Sequence, residues 1–379
     1  MRRFLAVGLA LLCAHAALAA EAPKANTLTP QEIADGWLLL FDGATTFGWT
    51  KVEGDAAVVE DSLQVGGPKT SRLQNSSTFG SFQLQFDYQL SYQPILKKEA
   101  VCVLVTTHLS ACELLSTKKG NWISASVEVT PSAAKSSLRY DKDVAPMTKE
   151  VSFPEQKVLE RNMVQFKVPE GCRLVLRDVK LRPLGLKAIF NGKDLSGWKP
   201  FAGDKYKSQF SVTKEGWLHV KNGPGDLQTQ TQYDDFLLQL ECISNGKHLN
   251  SGIFFRCIAD QYQNGYEAQI QNGYKDGDRT KPSDFGTGAI YRRVPARKVV
   301  PNDHEWFTMT VLAQGRHIAT WVNGYQTVDW TDERPPDDNP RKGSKNGKGH
   351  LSIQGHDPTT DLSFRNLRIA EIPRVGEKK

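Results

Sequence analysis

Tyr266-Glu267-Ala268-Gln269-Ile270-Gln271 alternates apolar and polar side chains, so in a strand Glu267, Gln269 and Gln271 share one face and Tyr266, Ala268 and Ile270 the other. With the apolar face packed between sheets, three polar groups line an open surface. Arg256, at the end of the preceding apolar run, is expected to join them, and Ser352, Gln354 and His356 project together from Leu351 to His356. One carboxylate, one guanidinium, one imidazole and several amides, flanked by Tyr291, Trp306 and Trp321, suit a sugar. Aromatic rings cover the apolar faces of a pyranose while amides and charges bond its hydroxyls.

What reaction such a set performs depends on the carboxylates. Ordinary glycoside hydrolysis needs two, about 5–9 Å apart across the scissile bond. Gln269 and Gln271 stand where a second acid would follow Glu267, so double displacement requires a loop partner such as Asp303 or Asp357. Proton abstraction beside a carbonyl needs only one base. Glu267 or His356 would take the proton and Arg256 steady the enolate. Asp303, His304, Asp357 and Asp361 are ligand types for a divalent metal, without diagnostic spacing.

The frame that must position these residues is written twice. Phe41-Asp42-Gly43 with Gly48-Trp49 returns as Phe190-Asn191-Gly192 with Gly197-Trp198, 149 positions later. Glu60 to Val65 answers Glu215 to Val220, Ser81 to Asp87 answers Asp235 to Glu241, and Leu176 to Leu181 answers Phe364 to Ile369. Two related domains in tandem are expected. The offset grows late in the chain, so the first copy lacks the stretch that carries Tyr291, Trp306, Trp321 and His356 in the second. Leu115 also replaces Gln269 there, and Val101 to Val105 offers no arginine. The first copy reads as a structural or accessory domain.

Period-two patterning such as Phe236, Leu238, Leu240, Cys242, broken by Asn-Gly at 222, 245, 264, 272 and 323, predicts antiparallel sheets in a sandwich. The segment Gly315 to Tyr325 reads as a hairpin. One short helix is expected at Thr29 to Ala34, with Thr29 as cap, Pro30 in first position and Glu32 completing a capping box. Trp49 and Trp198 read as core pegs, Arg365 as structural, and Asp332 to Lys348 as a long loop.

Met1-Arg2-Arg3, an apolar run to Ala19 and the ending Ala17-Leu18-Ala19 predict a secretory leader over 1–19, and hence a periplasmic or extracellular protein. No later run is long enough to cross a bilayer as a helix. A net charge of +6 over 379 residues is modest and dispersed. The clusters at Arg292-Arg293, Arg297-Lys298 and Arg341 to Lys348 read as solvated loops, so no nucleic-acid partner is expected. Beyond the leader lie Cys102, Cys112, Cys172, Cys242 and Cys257, an odd number that excludes a disulfide framework. Cys242 and Cys257 are either a bridge or core hydrophobes.

Several of these segments together carry a family likeness. FNGKDLSGW from Phe190, NSGIFFR from Asn250, GYEAQIQN from Gly265, TGAIY from Thr287, EWFTMTV from Glu305, WVNG from Trp321, and IQGHD before FRNLRI resemble the 3-keto-disaccharide hydrolase domain. The second copy carries nearly the whole pattern; the first keeps its ends. The resemblance implies a fold like concanavalin A-type lectins and glucanases, a jelly roll, and cleavage of 3-keto-glycosides by net hydrolysis or by elimination and rehydration.

The expected organisation is an all-β chain of two antiparallel sandwiches over 36–185 and 186–373, after an N-terminal segment 20–35 and before a tail 374–379. Catalytic candidates are Glu267, His356 and Arg256; substrate-binding candidates are Gln269, Gln271, Tyr291, Trp306, Trp321 and Gln354. The ligand is an oligosaccharide or glycoside. A non-catalytic carbohydrate-binding module or envelope scaffold is the alternative.

Overall fold

The computed structural model describes residues 24–92, 102–106, 109–114, 121–139, 145–152 and 161–373. The expected leader, the tail 374–379, and the side chains of Cys102, Cys112 and Glu113 lie outside the described residues.

The chain is all-β, built from four antiparallel sheets in two pairs. In the first half an eight-stranded sheet runs Met147–Ser152, Ala133–Arg139, Ile123–Val129, Phe82–Tyr92, Cys172–Pro183, Ser62–Gly66, Ala56–Val59, with Leu38–Leu39 also on Cys172–Pro183. It faces a five-stranded sheet ordered Trp49–Glu53, Ser71–Phe79, Asn162–Val168, Cys102–Thr106, Leu109–Leu114.

The second half repeats both sheets in the same order. Tyr325–Thr331, His317–Val322, Phe307–Gln314, Phe236–Ser244, Asp361–Glu371, Leu218–Lys221 and Gln209–Val212 form the larger, with Lys187–Ala188 on Asp361–Glu371. Trp198–Pro200, Gly225–Tyr233, Gly349–Gly355, Ser251–Cys257 and Tyr266–Ile270 form the smaller. Identical strand order is what the repeated sequence blocks require.

Alternation does the folding. Phe82, Leu84, Phe86, Tyr88 and Leu90 are buried in one core, and Phe236, Leu238, Leu240 and Cys242 hold the same positions in the other. Each half is pinned at its start by a buried tryptophan whose indole N–H donates to a carbonyl nine residues back, Trp49 to Leu40 at 2.6 Å and Trp198 to Ile189 at 2.9 Å. The segment 315–325 proves to be the middle strand of a three-stranded meander rather than a closed hairpin. Its second turn, Asn323-Gly324, has φ of 47° and 74°, the left-handed pair that a tight hairpin turn demands. The helix Pro30–Ala34 forms with its capping box in place.

Cys242 and Cys257 are free and buried, so the bridge is excluded and both act as core hydrophobes. The two halves share one apolar joint. Leu237, Leu312, Ala319, Trp321 and Ile372 of the second belong to the first half's core cluster, with Trp321 against Phe79 at a ring separation of 6.3 Å.

Candidate functional site

The site is built on the outer face of the smaller second sheet. Tyr266, Ala268 and Ile270 enter the core, which turns Glu267 and Gln269 outward. They do not stay open to solvent, because the segment 287–291 folds back along the strand. Tyr291 N–H donates to the Glu267 carbonyl (3.0 Å), Gln269 N–H to that of Ala289 (3.0 Å), and Gly288 N–H to that of Gln269 (2.8 Å). Glu267 is left 5% exposed and Gln269 is fully buried. Gly252 pairs with Gln269 on the neighbouring strand, and a Cβ there would stand 2.6 Å from the Glu267 carboxylate oxygen, so glycine makes room for the acid.

Asn250, Tyr262, Gln263, Glu267, Tyr291, Arg292, Arg341, Gln354 and His356 enclose a cavity of about 510 Å³. Glu267, Tyr291, Gln354 and His356 are thus brought together as expected. Gln269 stands behind the wall, its amide nitrogen 3.2 Å from both Asn250 Oδ1 and Asp284 Oδ2. Gln271 lies outside the lining, where its amide oxygen accepts from Gly273 N–H at 2.8 Å.

Three candidates are corrected. Arg256 never reaches the cavity: the strand bulges between Phe254 and Cys257, Arg256 adopts φ 54°, and its fully buried guanidinium points to the opposite end of the sandwich. There it pairs with Asp235 at 3.0 Å and donates to the Gly315 and Lys345 carbonyls. A one-residue bulge reverses the alternation on which its placement rested. Trp306 instead packs edge-on against Trp217, with the Arg365 guanidinium 4.1 Å over its ring and paired with Glu241 at 2.6 Å. The first half repeats that arrangement with Trp122, Arg177 and Asp87. Trp321 is fully buried in the joint between the halves.

The guanidiniums that do line the cavity come from the clusters read as solvated loops. Arg341 is held by its Nε–H donating to the Gln263 carbonyl (2.6 Å) and lies 5.4 Å over the Phe254 ring. Arg292, at φ 58°, sits 5.3 Å over Tyr291. Pattern alone could not place them, since both depend on where a long loop returns. Asp226 was also missed. It is 1% exposed, opposite Gln354 in strand register, and accepts from Gln263 N–H at 3.1 Å.

Burial sets the charge states. It pushes the Glu267 carboxyl up to about 8 against the pull of Arg341, with Asp226 and Asp284 adding repulsion. Burial likewise raises Asp226 to about 7. His356 Nδ1 lies 2.7 Å from Asp357 Oδ2, which orients the ring and leaves Nε2 for the cavity. Hydrogen bonds from Thr359 and His356 outweigh partial burial and keep Asp357 below the usual carboxylate range. Among the described residues no three His, Cys, Asp or Glu side chains gather as a metal cluster. Asp303 is spent on His248 N–H and Asn272, and Asp361 on Asn245 and Lys221.

Residues 185–370 match the model of the 3-keto-alpha-glucoside-1,2-lyase-like domain. The second half is a domain of that family. No sequence among curated proteins matches the chain. Similar solved structures include two candidate glycosyl hydrolases from Parabacteroides distasonis. One is 22% identical with a TM-score of 0.41, covering 50% of this chain and 94% of its own. The other is 26% identical with a TM-score of 0.35, covering 46% and 98%. The carbohydrate-binding module CBM66 from Bacillus subtilis is 16% identical with a TM-score of 0.33, covering 45% and 93%.

Proposed function

We propose that the protein is an exported enzyme that cleaves 3-keto-glycosides at the second-half cavity by elimination, with water adding afterwards to give net hydrolysis. A ketone at C3 acidifies the C2 proton. His356, backed by Asp357, takes that proton; the C1–O bond breaks as C1=C2 forms; and Glu267 gives its own proton to the departing glycosidic oxygen. Arg341, with Arg292 beside it, faces the negative charge that develops on the C3 oxygen, the role first assigned to Arg256.

The observation that carries this reading is an acid held neutral and a carboxylate-backed imidazole lining one cavity with two guanidiniums. Double displacement would need Glu267 ionised as nucleophile at neutral pH, which its burial opposes.

Incubating the protein with a 3-keto-glucoside and the plain glucoside, and following products by mass spectrometry, tests it. Only the keto sugar should be consumed, through a keto-glucal. Glu267→Gln and His356→Ala should each lower kcat by about 10²–10⁴, and the native rate should fall above about pH 8 as Glu267 loses its proton. If neither sugar is consumed but both bind, the amides Asn250, Gln263 and Gln354 belong to a lectin-like site.

A further inference from the structure

Three aromatic rings lead away from the cavity wall. Tyr262 lines the cavity, Tyr206 lies 5.5 Å from it between ring centroids, and Phe201 lies 5.5 Å beyond Tyr206. All three are half-buried, so none is sealed inside the core. Contiguous apolar surface left exposed beside a polar pocket is the usual form of a ligand platform.

The loop that carries Phe201 and Tyr206 is fastened to the rim. Phe201 N–H donates to the Asp226 carbonyl (2.9 Å) and Lys207 N–H to that of Pro224 (2.7 Å), while the Ser208 hydroxyl reaches the carbonyls of Asn222 and Gly225, each at 3.1 Å. Gly355, between the cavity residues Gln354 and His356, could not carry a Cβ without meeting the Ser208 hydroxyl at 2.0 Å. The rings are therefore set in register with the catalytic face.

The loop is also an insertion. Trp198 precedes Glu215 by 17 residues where Trp49 precedes Glu60 by 11, and the shorter segment, Thr50 to Val59, has no aromatic residue. The first half thus has no counterpart of Phe201 and Tyr206 in that segment.

We infer that Tyr262, Tyr206 and Phe201 form an outer subsite that receives the leaving group of the glycoside, which must present a flat apolar face: an aryl ring or the face of a second pyranose. The assignment as leaving-group subsite rests on the cleavage reading above. The Lys205 ammonium lies 4.9 Å over Tyr206, so a ligand on that face replaces it.

The test compares methyl, phenyl and glucosyl 3-keto-glucosides in two measurements. Calorimetry on the Glu267→Gln protein gives Kd, and the native enzyme gives kcat/KM. Stacking should tighten the phenyl or glucosyl ligand about 3- to 10-fold over methyl. Tyr206→Ala should abolish that advantage and Tyr206→Phe retain it. A gain confined to phenyl assigns an aryl group; one confined to glucosyl assigns a sugar. Equal Kd values for all three, or an advantage that survives Tyr206→Ala together with Phe201→Ala, overturns the subsite. A Kd contrast without turnover of any ligand leaves the platform standing and overturns the cleavage reading instead.

Discussion

The outer face of the eight-stranded sheet has opposite character in the two halves. In the second, Leu237 pairs with Leu312 and Leu312 with Ala319, while Trp321 lies next along the same strand face. In the first, Gln83 pairs with Glu128 and Glu128 with Lys135, and Ser137 holds the place of Trp321. The apolar face is closed by the first half, through the segment 36–48 and strand residues up to Phe79. Gln239 donates to the Gly36 carbonyl, Arg297 pairs with Asp42 at 2.9 Å, and Ser76 donates to Asp329 at 2.8 Å. The polar face is left to water. The two halves share a strand order but not a relationship to solvent: one is the other's cover, and the cover does not itself need covering.

Separating the halves should break this arrangement most severely. The second half alone would expose Leu237, Leu312, Ala319 and Trp321 together and should aggregate, seen by light scattering. Transplanting the first half's residues, as Leu237→Gln, Leu312→Glu, Ala319→Lys and Trp321→Ser, should return it to a monomer. An unmodified second half that is monomeric with an unchanged Tm would contradict the cover role.

Next in size is Asp235, 2% exposed, whose carboxylate holds Arg256 of its own half and Arg161 of the other. Asp235→Ala leaves two guanidiniums without it and should cost about 3–5 kcal/mol in urea unfolding; a loss under 1 kcal/mol would show the joint to be held by apolar contact alone.

Glu267 sharpens the contrast between closed face and open cavity. The native protein keeps its proton up to about pH 8, whereas an exposed carboxyl releases it near 4.5. Between those values the native state binds more protons than the unfolded one, so this residue erodes stability as pH rises through the window. Glu267→Gln should therefore gain on the order of 2–4 kcal/mol at pH 8 and little at pH 4, read from denaturation at both.

The smallest effect tests likeness rather than difference. Arg177→Ala and Arg365→Ala remove the same guanidinium-over-tryptophan arrangement from the two halves and should each cost about 1 kcal/mol. Clearly unequal costs would mean that the two copies no longer use it alike.

Much of this was legible in the residues. The duplication, the sandwich class and the outward turn of Glu267 follow from repeated blocks and period two, which local sterics enforce. Tyr291, Gln354 and His356 reach the cavity as expected because they sit on or beside regular strands. Arg256 failed because a bulge breaks parity without any signal in Phe254-Phe255-Arg256-Cys257. Trp306 and Trp321 failed because aromatic type does not distinguish a platform from a core. Arg292, Arg341 and Asp226 escaped because the first two arrive on loops and the third depends on sheet pairing across long chain separations.

A face that docks onto a different surface of a like domain can, in principle, repeat without end. Had the first half carried leucine at 83 and 128, alanine at 135 and tryptophan at 137, it would offer the next molecule the same seat that it covers on its twin, and the series would grow into a filament. Gln83, Glu128, Lys135 and Ser137 end it after two.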